Sequence, residues 1–264
     1  MKQSKPIVVK LGGALLAGGD VLTPLWEAVS VLQQNAPVVV VHGGGPQMTD
    51  MARRLGHEPR IVQGRRVTTD VDLEIVQWTL RGALNVQLVA EASRFGLRPV
   101  GLSGADGAVV RVTKRPPWNV EGQEVDFGWV GDVERVDASL VRHLHAGGYL
   151  PVLAPLGIDA AGRLYNVNAD TVACALAGAL GASEFLLATE TGGVRRRADD
   201  PASLLPVCDR ETFAAGVEDG WIAGGMRVKL KVAFDALDAG VPDVYILAPD
   251  DLIERTRGTR VANG

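Results

Sequence analysis

Three short apolar runs, PIVVKL (6–11), PVVVVH (37–42) and EFLLAT (184–189), each lead within three residues into consecutive glycines. A run that is apolar throughout offers no wet face, so these read as strands of a mostly parallel sheet buried on both sides. Parallel neighbours need long crossovers, and helical patterns lie between the runs. One spans Val21 to Asn35, with Leu25, Val29 and Leu32 on a single face. Others run from Pro46 to Leu55, from Asp70 to about Phe95 after an N-cap at Thr68 or Thr69, and from Ala169 to Leu180. A further helix from Met226 aligns Leu230, Phe234 and Leu237. Strands are also predicted at 98–103, 148–155 and 243–248. Between them, AVVRVTK and VDFGWVGDVERV alternate apolar with polar residues, the pattern of hairpins. The change in character near residues 155–165 predicts two lobes, 1–160 and 161–264.

In open sheets of this kind ligands bind beyond the carboxyl ends of the strands, and the polar residues of interest cluster there. Lys10 sits late in the first run, just ahead of Gly12 and Gly13. An ammonium beside bare amides suits a phosphate, although a lysine snorkelling to water would look the same. The second run ends at His42 and Gly43–Gly45, with Pro46 in the first turn of the next helix, where its missing N–H costs nothing. Exposed glycine amides at a helix start make an anion site. The sequence GGGPQMTD is neither a Walker-A loop nor a dinucleotide fingerprint, since Met48 stands where the last glycine should be.

Arg65 and Arg66 in QGRRVTTD offer planar forks for a carboxylate, or else a solvated hairpin. In LYNVNADT, Asn166 and Asn168 share one face of an extended segment, and Asp170 falls at a helix start, where it could serve as a cap. Gly192 and Gly193 follow the third run. Gly224 and Gly225 open a helix whose first turns carry Arg227, Lys229 and Lys231, which oppose the helix dipole unless an anion sits there. Neither a Cys/His metal cluster nor a G-x-S-x-G elbow is present. Phosphoryl transfer, which relies on positioning and charge neutralisation, fits these residues best.

Composition narrows the partners. Lys and Arg number 27 against 31 Asp and Glu, a formal charge of −4, and no long basic run suggests nucleic acid. With 47% hydrophobic residues in 264, a large core needs no staples. Two cysteines, Cys174 and Cys208, form no disulfide framework. The start lacks a signal peptide's apolar region, and no stretch approaches the ~18 apolar residues of a membrane span. A cytoplasmic protein is expected.

The ordered set VVKLGG, VVVVHGGGPQ, GRRVT, VGLSGADG, YNVNADT and GGMRVKLK, which spans nearly the whole chain, resembles the amino acid kinase superfamily. Within it the pattern is similar to the branch that phosphorylates the side-chain carboxylate of N-acetyl-L-glutamate with ATP in arginine biosynthesis. The resemblance implies an α/β fold, a three-layer αβα sandwich with a mainly parallel central sheet. The N-terminal lobe would hold the acyl amino acid and the dimer contact, the C-terminal lobe ATP. By the resemblance, Lys10 and Lys229 stabilise the migrating phosphoryl group and Asp170 organises them. Gly44 and Gly45 contact substrate through their amides, Arg66 holds the α-carboxylate, and Asn166 meets the acetylated end. Gly12 and Gly13 would approach the phosphates. The nucleotide would lie along Glu190, Thr191, Gly192, Gly193, Val194 and Arg195, and near Trp221, Ile222 and Ala223. Mg²⁺ would be held by phosphates and water, with no protein metal ligands.

One departure is Glu190, where the family pattern has Asp; the extra methylene bears on nucleotide placement. The short N-terminus lacks the helix of arginine-regulated hexameric relatives, which predicts a homodimer that arginine inhibits weakly or not at all. Two other readings share these motifs: a kinase for aminoadipate or glutamate attached to an acidic carrier protein in lysine synthesis, and a non-catalytic amino-acid sensor.

Overall fold

The computed structural model describes residues 4–16 and 22–264. Val21, the expected start of the first helix, lies outside the described residues. In chain order come β1 (Ile7–Leu11), α1 (Thr23–Asn35), β2 (Val38–His42), α2 (Gly45–Arg54) and the paired β3 (Ile61–Val62) and β4 (Arg65–Arg66). A continuous helical rod follows: α3 (Asp70–Val76), a π-helical stretch (Gln77–Leu84) and α4 (Asn85–Ser93). Next are β5 (Pro99–Ser103), β6 (Val110–Lys114), β7 (Trp118–Val120), β8 (Gln123–Val125), β9 (Gly131–Val136), α5 (Ser139–Ala146), β10 (Leu150–Ala154), β11 (Leu156–Ile158) and β12 (Leu164–Asn166). The chain ends with α6 (Ala169–Leu180), β13 (Glu184–Ala188), β14 (Val207–Cys208), α7 (Arg210–Glu218), α8 (Gly224–Asp238), β15 (Asp243–Leu247) and β16 (Thr259–Val261).

Eight strands form one sheet in the order β14-β16-β15-β13-β1-β2-β10-β5. All neighbours are parallel except β15 and β16. Successive side chains point to opposite faces, so each strand feeds two cores. Val8, Val39, Val41, Leu153 and Phe185 pack against α5, α6 and α8. Val9, Val38, Val40, Val152 and Leu186 pack against α1 and the 70–93 rod. This is the three-layer αβα sandwich, and it explains why the strand runs carry no polar alternation. β1 lies in the middle, between β13 and β2, so the glycine loops after these three strands meet above one sheet edge.

The middle section is more elaborate than simple hairpins. β6 and β9 are antiparallel, but β6 also pairs with β11, giving a second sheet β12-β11-β6-β9. The β7–β8 hairpin turns at Glu121 and Gly122, both with positive φ. It packs Trp118 edge-on to Phe127 at 5.1 Å within a small separate core that includes Val67, Val125 and Val130. The sequence reading passed over β14, α7 and β16. α7 nevertheless carries a cap signal, because the Asp209 carboxylate accepts from the Thr212 N–H at 2.8 Å. Among the described residues, no helix is long and apolar enough to cross a membrane.

Candidate active site

The position of Lys10 follows from strand alternation. It shares the face of Val8, toward α6, and its Nζ lies 2.7 Å from the Asp170 carboxylate. Both side chains are almost fully buried. Asp170 is free for this pairing because it does not cap α6. Asn168 does, its Oδ1 accepting from the Thr171 N–H at 3.0 Å. The capping role considered for Asp170 is therefore taken by its neighbour two residues earlier, and the carboxylate turns inward. Lys229 enters from the first turns of α8, whose N-cap Ala223 supplies no side-chain cap. Burial lowers the Lys229 pKa, the Asp170 charge holds it up, and Lys10 pushes it down. Lys10 alone pairs directly with the carboxylate, while Lys229 feels its charge from beyond ion-pair distance.

The glycines serve two purposes. A Cβ on Gly13 would sit 2.9 Å from the Gly44 nitrogen and 3.0 Å from that of Gly45, so here main chain packs on main chain. The Gln47 amide ties the two loops together, donating to the Gly13 carbonyl at 3.0 Å. A Cβ on Gly44 would run into Leu80 and Leu84 of the π-helical stretch. Gly45 differs, since nothing lies within 4 Å of its would-be Cβ. The N–H groups of Gly44 and Gly45 find no acceptor among the described residues. They open onto the cavity at the start of α2, where the helix dipole favours an anion.

His42 supports this loop from below. It is fully buried, and burial pushes its pKa down to about 4 against the raising effect of the Gly43 carbonyl. Its Nδ1 donates to that carbonyl at 2.9 Å, so Nε2 accepts from the Asn85 amide at 3.1 Å. The ring is a neutral strut and not a base.

The cavity occupies about 670 Å³ and reaches from Lys10 and the glycine loops to Arg65, Arg66, Arg115 and Asn166. Arg66 donates to Thr49 Oγ1 at 2.6 Å and lies 3.8 Å from Asp72. Asp72 is itself fixed by Thr69, the N-cap of the 70–93 rod, in a reciprocal capping box, and by His57 at 3.1 Å. Burial lowers the Arg66 pKa while Asp72 holds it up. The Asn166 amide donates to Thr68 Oγ1 at 3.2 Å.

On the other side of Lys10, the 190–195 turn follows β13. Gly192 (φ 68°) carries its left-handed bend, and Thr191 Oγ1 donates to the Gly193 carbonyl at 3.1 Å. Glu190 and Thr191 are exposed and Arg195 is partly so, whereas the Val194 side chain is in the core and its N–H donates to Thr259 Oγ1 at 2.9 Å. Ile222 is also buried. Trp221 presents its ring to the Arg196 guanidinium at 5.5 Å, and Ala223 is exposed. The structure therefore brings Lys10, Asp170, Gly13, Gly44, Gly45, Arg66 and Asn166 around one cavity, and Lys229 lies close enough to feel the Asp170 and Lys10 charges without lining that cavity or pairing with either. It leaves Val194 and Ile222 as packing residues.

The sequence reading missed Arg115, buried at 7% exposure, whose Nη2 is 2.6 Å from Asp132. It also missed Asn85 and Asp72, polar residues at core positions of a helical pattern. That misplacement is the signal that could have found them. Among the described residues, no group of three or more His, Cys, Asp or Glu is arranged to hold a metal ion.

Comparison with known proteins gives a consistent result. Residues 5–248 match the model of the amino acid kinase family. The chain is 43% identical over 255 residues to acetylglutamate kinase of Anaeromyxobacter dehalogenans, covering 94% of each protein. It is also 43% identical over 244 residues to acetylglutamate kinase of Methanopyrus kandleri, covering 92% of this chain and 97% of that one. Among solved structures, the smu.665 protein of Streptococcus mutans superposes with a TM-score of 0.82 at 26% identity, covering 98% of this chain and 99% of that one. With a buried lysine–aspartate pair over a glycine-lined cavity, and with relatives alike along almost the whole length, this chain belongs to the amino acid kinase family.

Proposed function

We propose that the chain transfers the γ-phosphoryl group of ATP to the side-chain carboxylate of N-acetyl-L-glutamate, forming an acyl phosphate and ADP, as a step of arginine biosynthesis. The carrying observation is the buried Lys10–Asp170 pair at 2.7 Å, with Lys229 within the field of that carboxylate, beside the Gly44 and Gly45 amides that find no acceptor among the described residues. A carboxylate nucleophile arrives already ionised, so the site needs no general base. The neutral, buried His42 is consistent with that. What the reaction does need is relief of repulsion between two anions. Lys10 and Lys229 would stabilise the charge on the migrating group, and Asp170 would hold the two ammonium groups at the right spacing.

Arg66, steadied by Thr49 and Asp72, would hold the α-carboxylate, and Asn166 the acetyl end. The half of the sheet built from residues 1–160 would carry the acyl amino acid. The half from 161–264 would carry ATP along the 190–195 turn and the Trp221–Ala223 segment, with the Val194 and Ile222 side chains packed beneath it. Mg²⁺ would come with the phosphates and neutralise their charge, since the described residues provide no carboxylate cage. Cytoplasmic location fits this chemistry.

We also propose a homodimer. Val71, Trp78 and Val86 are 51%, 55% and 59% exposed along the 70–93 rod, about two turns apart. Such an apolar line suits a second copy of itself. Trp78→Asp should then shift the protein toward monomer in sedimentation velocity at micromolar concentration. An unchanged sedimentation coefficient would place the interface elsewhere.

The activity is tested by ADP release with N-acetyl-L-glutamate against glutamate and aminoadipate. Turnover with acetylglutamate alone is expected. Turnover confined to a carrier-linked acid would overturn this reading.

A further inference from the structure

Consider the charges around the cavity. Lys10 is paired with Asp170, Arg66 with Asp72, Arg53 with Glu58, and Arg115 with Asp132. Arg65 is different, for its guanidinium makes no hydrogen bond or ion pair with any described residue. It is partly buried at the cavity wall, centred 5.3 Å from the Trp118 ring, and Arg115 lies 5.0 Å from the same ring. Both nitrogens that Arg115 offers to Asp132 go to a single oxygen, Oδ1, at 3.0 and 2.6 Å. Cation–π contacts steady both groups but do not neutralise them. Two partly desolvated guanidiniums flank one ring, and only Arg115 is hydrogen-bonded to a carboxylate, so Arg65 can still take a direct anionic partner. Burial, and then the Arg115 charge, push the Arg65 pKa down, while Asp132 and Asp170 act from a distance to raise it.

The location of the surplus charge narrows its purpose. The Arg115 N–H donates to the Val130 carbonyl at 2.8 Å, and Val130 bridges to Asn166. The two arginines therefore flank the Asn166 end of the cavity, whereas Arg66 is anchored on α2. Resting on the N-acylglutamate reading above, Asn166 marks the acyl end. We propose that Arg65 and Arg115, set over Trp118, form a second anion subsite there, suited to an N-acyl group that carries its own carboxylate. Arg65, the unpaired member, makes the direct contact and so determines acyl specificity.

The test compares two N-acyl groups of equal length, charged and neutral. N-succinyl-L-glutamate and N-butyryl-L-glutamate are titrated calorimetrically against the wild type, Arg65→Met and Arg65→Lys, with N-acetyl-L-glutamate as reference. A charge-assisted contact predicts that the wild type binds the succinyl compound at least ~10-fold tighter than the butyryl one. Arg65→Met should erase that preference while changing the acetylglutamate Kd by less than about threefold, and Arg65→Lys should restore part of it. Equal wild-type affinity for the two acids, or a preference that survives Arg65→Met, would overturn the subsite. ADP release is measured on the same samples. Its absence with N-acetyl-L-glutamate would count against the kinase reading, while the titrations would still decide the role of Arg65.

Discussion

Replacing Asp170 by asparagine removes the carboxylate that pairs with Lys10 and whose charge also reaches Lys229, at nearly constant shape. Lys10 lies 2.7 Å from it and both side chains are at least nine-tenths buried, so water cannot take over the lost charge. Removing one partner of such a pair costs about 3–5 kcal/mol, because the other stays buried and uncompensated. At ~2–4 °C per kcal/mol for a chain of this size, the melting temperature should fall by roughly 6–20 °C. Lys229 feels the change as well. Burial and Lys10 lower its pKa and Asp170 holds it up, so in the variant it loses its proton at lower pH. The alkaline decline of kcat/KM should then move toward neutrality, and kcat should fall by about 10²–10³-fold if the lysines lose their spacing. Scanning calorimetry and a coupled ADP assay across pH read both effects. Phosphates can replace the missing negative charge, so saturating MgATP should recover part of the lost melting temperature. A variant that melts within a degree of the parent, with kcat intact, would refute the part assigned to the buried carboxylate. Full destabilisation without any rescue by nucleotide would assign the loss to packing.

The two kinds of glycine separate in a paired experiment. Gly13→Ala should destabilise by about 1–3 kcal/mol, since its Cβ meets backbone atoms at 2.9 and 3.0 Å. Gly45→Ala, with open space around its Cβ, should leave the melting temperature unchanged and lower kcat/KM for the acyl acid; equal melting temperatures for the two variants would contradict the division. His42 predicts a pH effect of definite sign. It holds a proton in the folded protein only below about 4, against ~6.5 when unfolded, so the unfolded state binds more protons between those values. Stability should therefore fall on acidification through that window, by up to ~1.4 kcal/mol per pH unit. His42→Asn should flatten the decline, as read by urea melts at a series of pH values, and an identical slope would show that the ring does not titrate.

The layered sheet was legible because its strands are apolar on both faces, and Lys10 stands out as a break in such a run. The glycine exits were legible for a related reason, since consecutive positions without side chains are costly unless something approaches closely. What could not be read from the chain was which glycine meets a ligand. Gly13 and Gly45 look alike in sequence, and only the crossing of two loops makes one structural and the other open. The same holds for Asp170, whose position at a helix start suits a cap equally well until Asn168 takes that role. Arg115 and Asp132 were hidden for another reason. They belong to an antiparallel excursion whose register decides which side faces the cavity, and alternation alone does not reveal it. Asn85 lay in a helical pattern whose π-helical stretch shifts the phase, so its inward direction could not be counted from the flanking turns.

The place of β1 in the centre of the sheet bears on how the chain is made. Ile7 pairs with Val38 on one side but with Glu184 on the other. At about 5–20 residues per second of synthesis, the second partner leaves the ribosome roughly ten to thirty-five seconds after the strand it must join. During that interval the nascent protein exposes a sticky valine-rich border, so slow translation or early termination should favour clumping over release of a smaller working enzyme.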